Sequence, residues 1–335
     1  MSKIIVVVAS NREKHLQEFL TAWAPHPWEE MIILEDGPKR SFDLGRSYPL
    51  SVHHLSWSEM AADEDVLTPT PFSQCDAGIK LYGFWVALRL RTDIIISLDD
   101  DCYPFGPSDH FVTHHIAALS PRARWVPSVD GSPTRGVPYF NLGTIPGAVA
   151  NMGLWRGRAD HDAPQRLALH RLGYIDHAFA PALGNRCGMN IAFRREIAPL
   201  MYMPKMGDGS PYGRFDDIWC GIILQRCCRH LGLSLSLGEP HIRHLRASDP
   251  LSNLEKEAPG IRANELFWKA VETTPLSTAR HATPLSCAEA VAAHLTEVGQ
   301  RDPEIANNET FAAYLAEEGS RMQSWCKMFR NAAWK

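Results

Sequence analysis

The sequence has no cysteine pair with CxxC spacing, no hydrophobic run long enough for a bilayer, and little excess charge of either sign. Its eight cysteines are scattered, and Cys227 and Cys228 are adjacent within a helical pattern of apolar residues. Zinc ribbons and disulfide-stapled domains use regular cysteine spacings, so neither class fits this chain. The distribution indicates reduced cysteines, as in a cytoplasmic protein.

The sequence also lacks a large excess of charge of one sign. The 34 Lys and Arg residues are interspersed with 38 Asp and Glu residues, which gives a net charge of -4. A protein that binds nucleic acid needs a basic stripe to neutralise phosphates, and no such stripe is present. We therefore expect no nucleic acid partner.

The apolar run at the start, residues 4–9, is much shorter than the roughly 20 residues that span a bilayer. Polar residues 11–14 follow it directly, without a signal-peptide cleavage region. We expect no membrane span and a cytoplasmic location. The sequence leaves open whether the chain forms a homo-oligomer.

The sequence does contain an alternation of short apolar runs and helical patterns. The β-branched run at residues 4–9 predicts a buried strand, and residues 13–23 predict a helix after it. Further strands are predicted at residues 31–34, 50–55 and 94–98, the last preceded by a broad apolar helical face over residues 76–90. This order predicts an α/β fold with an open parallel sheet.

The second half of the chain is less regular. Residues 130–155 are rich in glycine and proline, which predicts an ordered loop region. A helix is predicted at residues 216–231 and a strand at residues 233–237, and the pattern is helical from about Glu255. Other elements are predicted at residues 109–119, 125–129 and 190–193. With 335 residues, we assign a catalytic domain to residues 1–255 and a helical C-terminal extension to residues 256–335.

Three consecutive aspartates, Asp99, Asp100 and Asp101, follow the strand predicted at residues 94–98. Neighbouring carboxylates repel one another, and a divalent cation such as Mn²⁺ or Mg²⁺ is the simplest reason to place them together. Ligands of open α/β sheets bind at the carboxyl ends of the strands, where a metal would bridge the phosphates of a nucleotide. A solvated acidic turn is the alternative.

A second acidic pair, Asp216 and Asp217, opens the helix predicted at residues 216–231. Carboxylates at this position also favour the positive end of the helix dipole, so helix capping is an alternative to a role on substrate. The Gly207-Asp208-Gly209 stretch lies just upstream and is suited to a close approach of the chain to a ligand.

His241 and His244 follow the strand predicted at residues 233–237. If that strand lies beside the strand that ends at Asp99, either imidazole can complete a metal site, and a surface histidine is the alternative for each. Asp36, at the end of the second strand, is a candidate for binding uracil or ribose, although it also fits an ordinary turn.

Arginines lie in and beside the glycine- and proline-rich region. Arg135 lies inside it, and Arg124 and Arg156 flank it. Guanidinium groups bind diphosphates in a bidentate manner, so these arginines are candidates for a phosphate clamp. Surface charge is the alternative for each of them.

Several short motifs occur together in a fixed order and resemble the reversibly glycosylated polypeptide family, whose active members are UDP-arabinopyranose mutases. The likeness is good over residues 90–270, appears only in outline over residues 1–90, and is absent from the last sixty or so. The motifs are DDDC at residues 99–102, GLW at 153–155, DHDAP at 160–164, CGMNIAF at 187–193, MGDG at 206–209, GRFDDIW at 213–219, HLGL at 230–233 and ASDP at 247–250.

The resemblance implies a GT-A-like fold, which is a Rossmann-like open, mostly parallel sheet flanked by helices. It also implies a divalent metal, usually Mn²⁺, and interconversion of UDP-L-arabinopyranose and UDP-L-arabinofuranose. Family members are reversibly glycosylated on an arginine of an Arg-Gly-aromatic-Pro-aromatic stretch. Residues 135–139 match that stretch, with Val137 in place of the first aromatic, so Arg135 is the matching arginine.

These considerations assign roles to ten residues and leave two other functions open. A UDP-sugar-dependent transferase that glycosylates itself or a separate acceptor would use the same residues, and an inactive partner subunit is the non-enzymatic alternative. Asp160 and Asp162 are further candidates for a base beside Arg135. The assignments are Arg135, Asp216 and Asp217 as catalytic residues; Asp36, Asp99, Asp100, Gly207 and Asp208 as nucleotide-sugar contacts; and Asp99, Asp101 and His244 as metal ligands.

Overall fold

The computed structural model describes residues 2–26, 28, 30–45, 51–124, 135–137, 140, 143–157, 164, 167, 188–207, 209–245 and 249–332. Their strands are β1 (Ile4–Ser10), β2 (Glu30–Glu35), β3 (Ser51–Leu55), β4 (Ile94–Asp99), β5 (Cys102–Pro104), β6 (Arg122–Ala123), β7 (Thr144–Ile145), β8 (Ala150–Gly157), β9 (Ile191–Arg194) and β10 (Leu235–His244). The α-helices are α1 (Glu13–Trp23), α2 (Trp57–Ala61), α3 (Lys80–Arg89), α4 (His110–Leu119), α5 (Asp216–Leu231), α6 (Pro250–Glu272), α7 (Pro284–Arg301), α8 (Pro303–Ala306) and α9 (Glu309–Asn331).

Most of the strands form one mixed sheet in the order β3-β2-β1-β4-β9-β8-β10-β5. The pairs β3–β2, β2–β1, β1–β4 and β8–β10 are parallel, whereas β9 is antiparallel to both of its neighbours and β5 is antiparallel to β10. Strands β6 and β7 form a separate pair. The expected GT-A-like α/β architecture, with a mostly parallel sheet and helices on its faces, is confirmed.

The central strand β1 is buried on both faces, as its continuous β-branched run predicts. Ile5 and Val7 contact the hydrophobic cluster that includes α3 and α5, whereas Val6 and Val8 contact the cluster formed with α1 and α4. Helices α6 to α9 pack into the first of these clusters. The C-terminal helices therefore share a core with the sheet. The domain boundary assigned at residues 255 and 256 lies inside α6 and stays a prediction.

Two sequence-based predictions are wrong. Residues 130–155 are not wholly a loop, because β8 begins at Ala150 within that range. The strand predicted at residues 233–237 continues to His244 as β10, so both candidate histidines lie on the strand rather than after it. A register shift between Gly238 and Ile242 interrupts the apolar alternation, which explains why the pattern alone ends the strand too early.

The remaining expectations concern membranes and cysteines. None of the described helices combines the length and apolar character needed to cross a bilayer. Cys102, Cys220 and Cys326 are buried thiols outside any disulfide, in line with the reduced usage expected from the sequence. The strand predicted at residues 125–129 lies outside the described residues.

The topology creates one crevice at the carboxyl edge of the sheet. Because β1 lies between β2 and β4, the chain leaves β1 toward one side of the sheet and later returns on the other. In open α/β sheets this is the point where ligands bind. Ala9 pairs with Asp99 in this register, so the segment after β1 and the end of β4 both border this crevice.

Replacing Trp219 tests how firmly the C-terminal helices are held to the rest of the chain. Its fully buried indole stacks on Phe267 of α6 at 4.2 Å and donates a hydrogen bond to Asn264 Oδ1 at 3.1 Å. Trp219→Ala should lower the free energy of unfolding by about 3–5 kcal/mol, measured by urea denaturation. Ile261→Ala, on the exposed side of α6, is the control and should cost less than about 1 kcal/mol; equal losses would contradict this account.

Candidate functional site

The three aspartates at the end of β4 have different partners. Asp99 is the last residue of β4 and forms an ion pair with Lys80, the first residue of α3. The Lys80 side chain is buried, with 3% exposed, whereas 43% of the Asp99 side chain is exposed. Burial acts to lower the pKa of Lys80, but the charge and hydrogen bond of Asp99 outweigh it and raise that pKa. Lys80 therefore stays charged beside Asp99.

Asp100 faces the protein interior rather than the crevice. Its carboxylate accepts hydrogen bonds from Ser10 Oγ at 2.5 Å and from Arg12 Nε at 3.1 Å, and it forms an ion pair with the Arg12 guanidinium. Only 5% of its side chain is exposed. Asp100 thus ties the end of β1 to the end of β4. Its assignment as a nucleotide-sugar contact stays a prediction.

Asp101 lies next to His244. The distance from Asp101 Oδ1 to His244 Nε2 is 3.5 Å, and both side chains are largely buried. His244 is brought there because β10 pairs with β5, which begins directly after the aspartates and sets His244 opposite Cys102. Burial acts to raise the pKa of Asp101, but the hydrogen bond and charge of His244 outweigh it and lower that pKa.

The structure distinguishes the two candidate histidines. His241 Nδ1 lies 2.8 Å from Glu239 Oε2, so its ring pairs with a carboxylate of its own strand. The sequence-based hypothesis required β10 to lie beside β4. In the structure β10 instead pairs with β5 and β8. His244 is the histidine that reaches the aspartates.

The donor set at the end of β4 fits a divalent cation in part. Among the described residues, no group of three or more His, Cys, Asp or Glu side chains is gathered closely enough to hold a metal. The neighbouring Asp101 oxygen and His244 nitrogen are, however, suitable donors for Mn²⁺ or Mg²⁺. Asp99 is the adjacent exposed carboxylate, and the phosphates of a bound nucleotide would supply further oxygens.

A second group of carboxylates lies where the N-termini of two helical segments meet. Asp216 Oδ2 accepts a hydrogen bond from the backbone N–H of Ala77 at 2.7 Å, and Asp76 caps the 3₁₀ turn Ala77–Ile79. Asp217 Oδ1 accepts from Ile218 N at 2.8 Å within the first turn of α5, whose N-cap residue is Phe215. Burial, followed by the charge of Asp76, raises the pKa of Asp216 well above its ordinary value.

Gly188 links the two groups of carboxylates. Its N–H donates to Asp217 Oδ2 at 2.9 Å, while its carbonyl accepts from Lys80 Nζ at 3.3 Å and from Ser97 Oγ at 2.7 Å. Asp99 and Asp217 are therefore connected through Lys80 and one backbone unit. The two motifs that the sequence places more than a hundred residues apart form one polar network.

The turn at residues 73–78 borders this network. Asp36 Oδ1 accepts hydrogen bonds from Cys75 N at 3.0 Å and from Trp57 Nε1 at 2.8 Å, which fixes the end of β2 against the turn. Gly207 packs on the other side, where a Cβ atom would lie only 1.9 Å from the Gln74 carbonyl oxygen. The need for glycine at 207 thus comes from close packing against the protein's own backbone.

Several candidates are not brought together with the aspartates. Arg135 has an exposed side chain, and within the described residues no hydrogen bond or ion pair joins it to them. Arg156 lies on β8 with its guanidinium 5.0 Å from the centre of the Phe105 ring. Asp208, Asp160 and Asp162 lie outside the described residues.

Sequence reasoning missed Lys80, Arg12, Asp76 and Glu318. Arg12 follows β1 at the crevice, and this position after a central strand was an available signal. Lys80 is the one charge in the middle of a long apolar stretch, which was a second signal. Glu318 offers no local signal, because Tyr202 and Lys205, which donate hydrogen bonds to it, are more than a hundred residues away in the sequence.

Replacing Asp216 with Asn tests the electrostatic cost of the second carboxylate group. Because the native pKa of Asp216 is raised, the folded state holds this proton to higher pH than the unfolded chain, whose carboxyl pKa is about 3.9. The free energy of unfolding of the wild type therefore decreases as the pH rises from about 4 through the native pKa of Asp216. In urea unfolding, Asp216→Asn should match the wild type near pH 4.5 and exceed it by about 1 kcal/mol or more at pH 8.5.

The control for this measurement is Asp109→Asn, which replaces an exposed carboxylate before α4. It should show no such growing difference between the two pH values. An Asp216→Asn variant whose stability runs parallel to that of the wild type at all pH values would contradict the raised pKa.

Comparison with known proteins identifies the family. The family model described as reversibly glycosylated polypeptide matches residues 2–333, so the expectation that the last sixty residues share no likeness is wrong. UDP-arabinopyranose mutase 1 of Arabidopsis thaliana is 31% identical over 275 residues, which cover 75% of this chain and 73% of its own. UDP-arabinopyranose mutase 3 of the same plant is 32% identical over 277 residues, which cover 75% of this chain and 72% of its own. UDP-arabinopyranose mutase 1 of Oryza sativa subsp. japonica is 30% identical over 75% of this chain and 72% of its own. The chain belongs to the reversibly glycosylated polypeptide family.

Proposed function

We propose that this protein is a metal-dependent UDP-sugar mutase that interconverts UDP-L-arabinopyranose and UDP-L-arabinofuranose. The observation that carries the proposal is the likeness to relatives named UDP-arabinopyranose mutase over three quarters of the chain. The crevice at the carboxyl ends of β1 and β4 supports it, because this is where nucleotides bind in open α/β sheets.

The reaction is an isomerisation that needs no oxidant, reductant or second substrate. The C1–O bond to UDP breaks and later forms again, and the ring bond from C1 to O5 is exchanged for one from C1 to O4. A proton leaves O4 and a proton arrives at O5, so atoms and charge balance. The protein has to hold UDP near the sugar and exclude water while C1 is reactive.

Groups in and beside the polar network fit two of the steps, the departure of the diphosphate and the proton transfer at the sugar hydroxyls. Asp101, His244 and Asp99 would hold Mn²⁺ or Mg²⁺, whose chemistry when bound is to neutralise negative charge on the leaving diphosphate. Lys80 keeps Asp99 in place, and Arg12 keeps Asp100 in place. Asp217 lies beside this group and is the carboxylate we assign to proton transfer at the sugar hydroxyls.

Arg135 is the proposed carrier of the sugar during reversible glycosylation. A guanidinium is protonated at neutral pH and is a poor nucleophile, so a carboxylate has to accept its proton before its nitrogen can bond to C1. The exposed position of the Arg135 side chain allows it to be modified. The second candidate function, a UDP-sugar-dependent transferase that glycosylates this arginine or a separate acceptor, uses the same first step.

Product analysis distinguishes the two functions. Purified protein is incubated with UDP-L-arabinopyranose and Mn²⁺, and nucleotides are separated by chromatography while the protein is weighed by mass spectrometry. The mutase predicts a new UDP-pentofuranose peak with total UDP-sugar conserved. Accumulation of free UDP with one pentose on the peptide containing Arg135 would instead support the transferase, and activity that survives chelation would remove the metal from the proposal.

A matched pair of histidine variants tests the metal ligands. Because His244 is adjacent to Asp101 and His241 pairs with Glu239, His244→Ala should weaken Mn²⁺ binding about tenfold or more, whereas His241→Ala should not. Binding is measured by electron paramagnetic resonance of free Mn²⁺ in the presence of UDP. Equal affinities for the two variants would contradict the assignment of His244.

A further inference from the structure

The last helix of the chain contacts the segment that leads to Gly207. Glu318 on α9 has only 2% of its surface exposed. Its Oε2 accepts hydrogen bonds from the Lys205 backbone N–H at 2.9 Å and from the Tyr202 hydroxyl at 2.8 Å. One helical turn earlier, the Tyr314 hydroxyl donates to the Lys205 carbonyl oxygen at 3.0 Å. Helix α9 thus binds both backbone groups of Lys205.

The segment continues directly into the polar network of the site. The N–H of Met206 donates to Asp76 Oδ2 at 2.7 Å, and Gly207 packs against the carbonyl of Gln74. The same turn at residues 73–78 contacts Asp36 through Cys75 N and Asp216 through Ala77 N. A chain of direct contacts therefore runs from Glu318 to the carboxyl edge of the sheet.

A carboxylate is a costly choice for this buried position. Desolvation penalises its charge, and burial raises the pKa of Glu318 to about 7 although the hydrogen bonds from Lys205 and Tyr202 oppose this. Arg321 Nε lies 3.4 Å from Oε1 of this carboxylate. An apolar side chain would leave the Lys205 N–H without its acceptor, so the carboxylate is explained by what it holds in place.

We propose that Glu318 is a positioning residue. By binding the Lys205 backbone, it holds residues 205–207 in the position where they form one wall of the nucleotide-sugar site. The residue does not touch substrate. The identity of the ligand in this proposal rests on the function proposed above. It gives the C-terminal helix, which carries none of the recognised motifs, an indirect role in substrate binding through residues 205–207.

Two substitutions of Glu318 are compared with a control on the same helix. Glu318→Ala should speed amide hydrogen exchange at Lys205 and Met206 about tenfold, as expected for a lost buried hydrogen bond, and should raise KM for UDP-L-arabinopyranose by a similar factor. Its kcat should change less than about threefold, because the reacting groups stay in place. Glu318→Gln keeps an acceptor oxygen and should restore both values, and Glu317→Gln, at an exposed position, should alter neither.

Each outcome decides the proposal. Faster exchange with an unchanged KM would show a purely structural role and overturn it, as would unchanged exchange. If Glu318→Ala does not fold, Tyr314→Phe removes only the hydroxyl contact to Lys205, and an unchanged KM for that variant overturns the proposal. If the wild type binds UDP without turnover, the mutase proposal fails alone and the Kd for UDP replaces KM; a wild type that does not bind UDP overturns both.

Discussion

Repulsion between the carboxylates at the carboxyl end of β4 is the constraint on which the rest of the site depends. Neighbouring like charges repel one another, and residues 99–101 place three carboxylates in succession. Each carboxylate has a different partner, namely Lys80, Arg12 or His244. Because the three partners come from α3, the segment after β1 and β10, this one acidic stretch fixes the relative positions of three distant parts of the chain.

The second carboxylate group is stabilised in a different way. Asp76, Asp216 and Asp217 accept hydrogen bonds mainly from backbone N–H groups at the starts of helical segments. Helix N-termini favour negative charge, yet burial still raises the pKa of both Asp76 and Asp216. Burial thus keeps Asp216 protonated to higher pH than an exposed carboxyl group, whereas Asp217 is the member of this group that is joined through Gly188 to Lys80 and Asp99.

The sequence predicts what is local and misses what depends on tertiary contacts. Helix α1 and helix α5 begin and end at the predicted residues, and β1, β2 and β4 are predicted to within one residue at each end. These elements are predictable because their apolar periodicity depends only on residues that are consecutive in the sequence. Strand β10 is predicted too short, since Gly238 and the register shift after it break the pattern that pairing with β8 and β5 restores. Lys80 and Glu318 are missed because their partners come from other elements.

The C-terminal helices show why a motif-based division of such a chain is incomplete. The recognised motifs all lie before residue 251, yet Trp219 of the motif region stacks on Phe267, and Tyr202 and Lys205 bond to Glu318. The hydrophobic stacking supplies stability without specifying a position, because apolar contacts are not directional. The hydrogen bonds to Glu318 are directional and fix the backbone of one segment. Burying a carboxylate costs stability, so its presence in α9 is best explained by the need to hold that segment at the edge of the site.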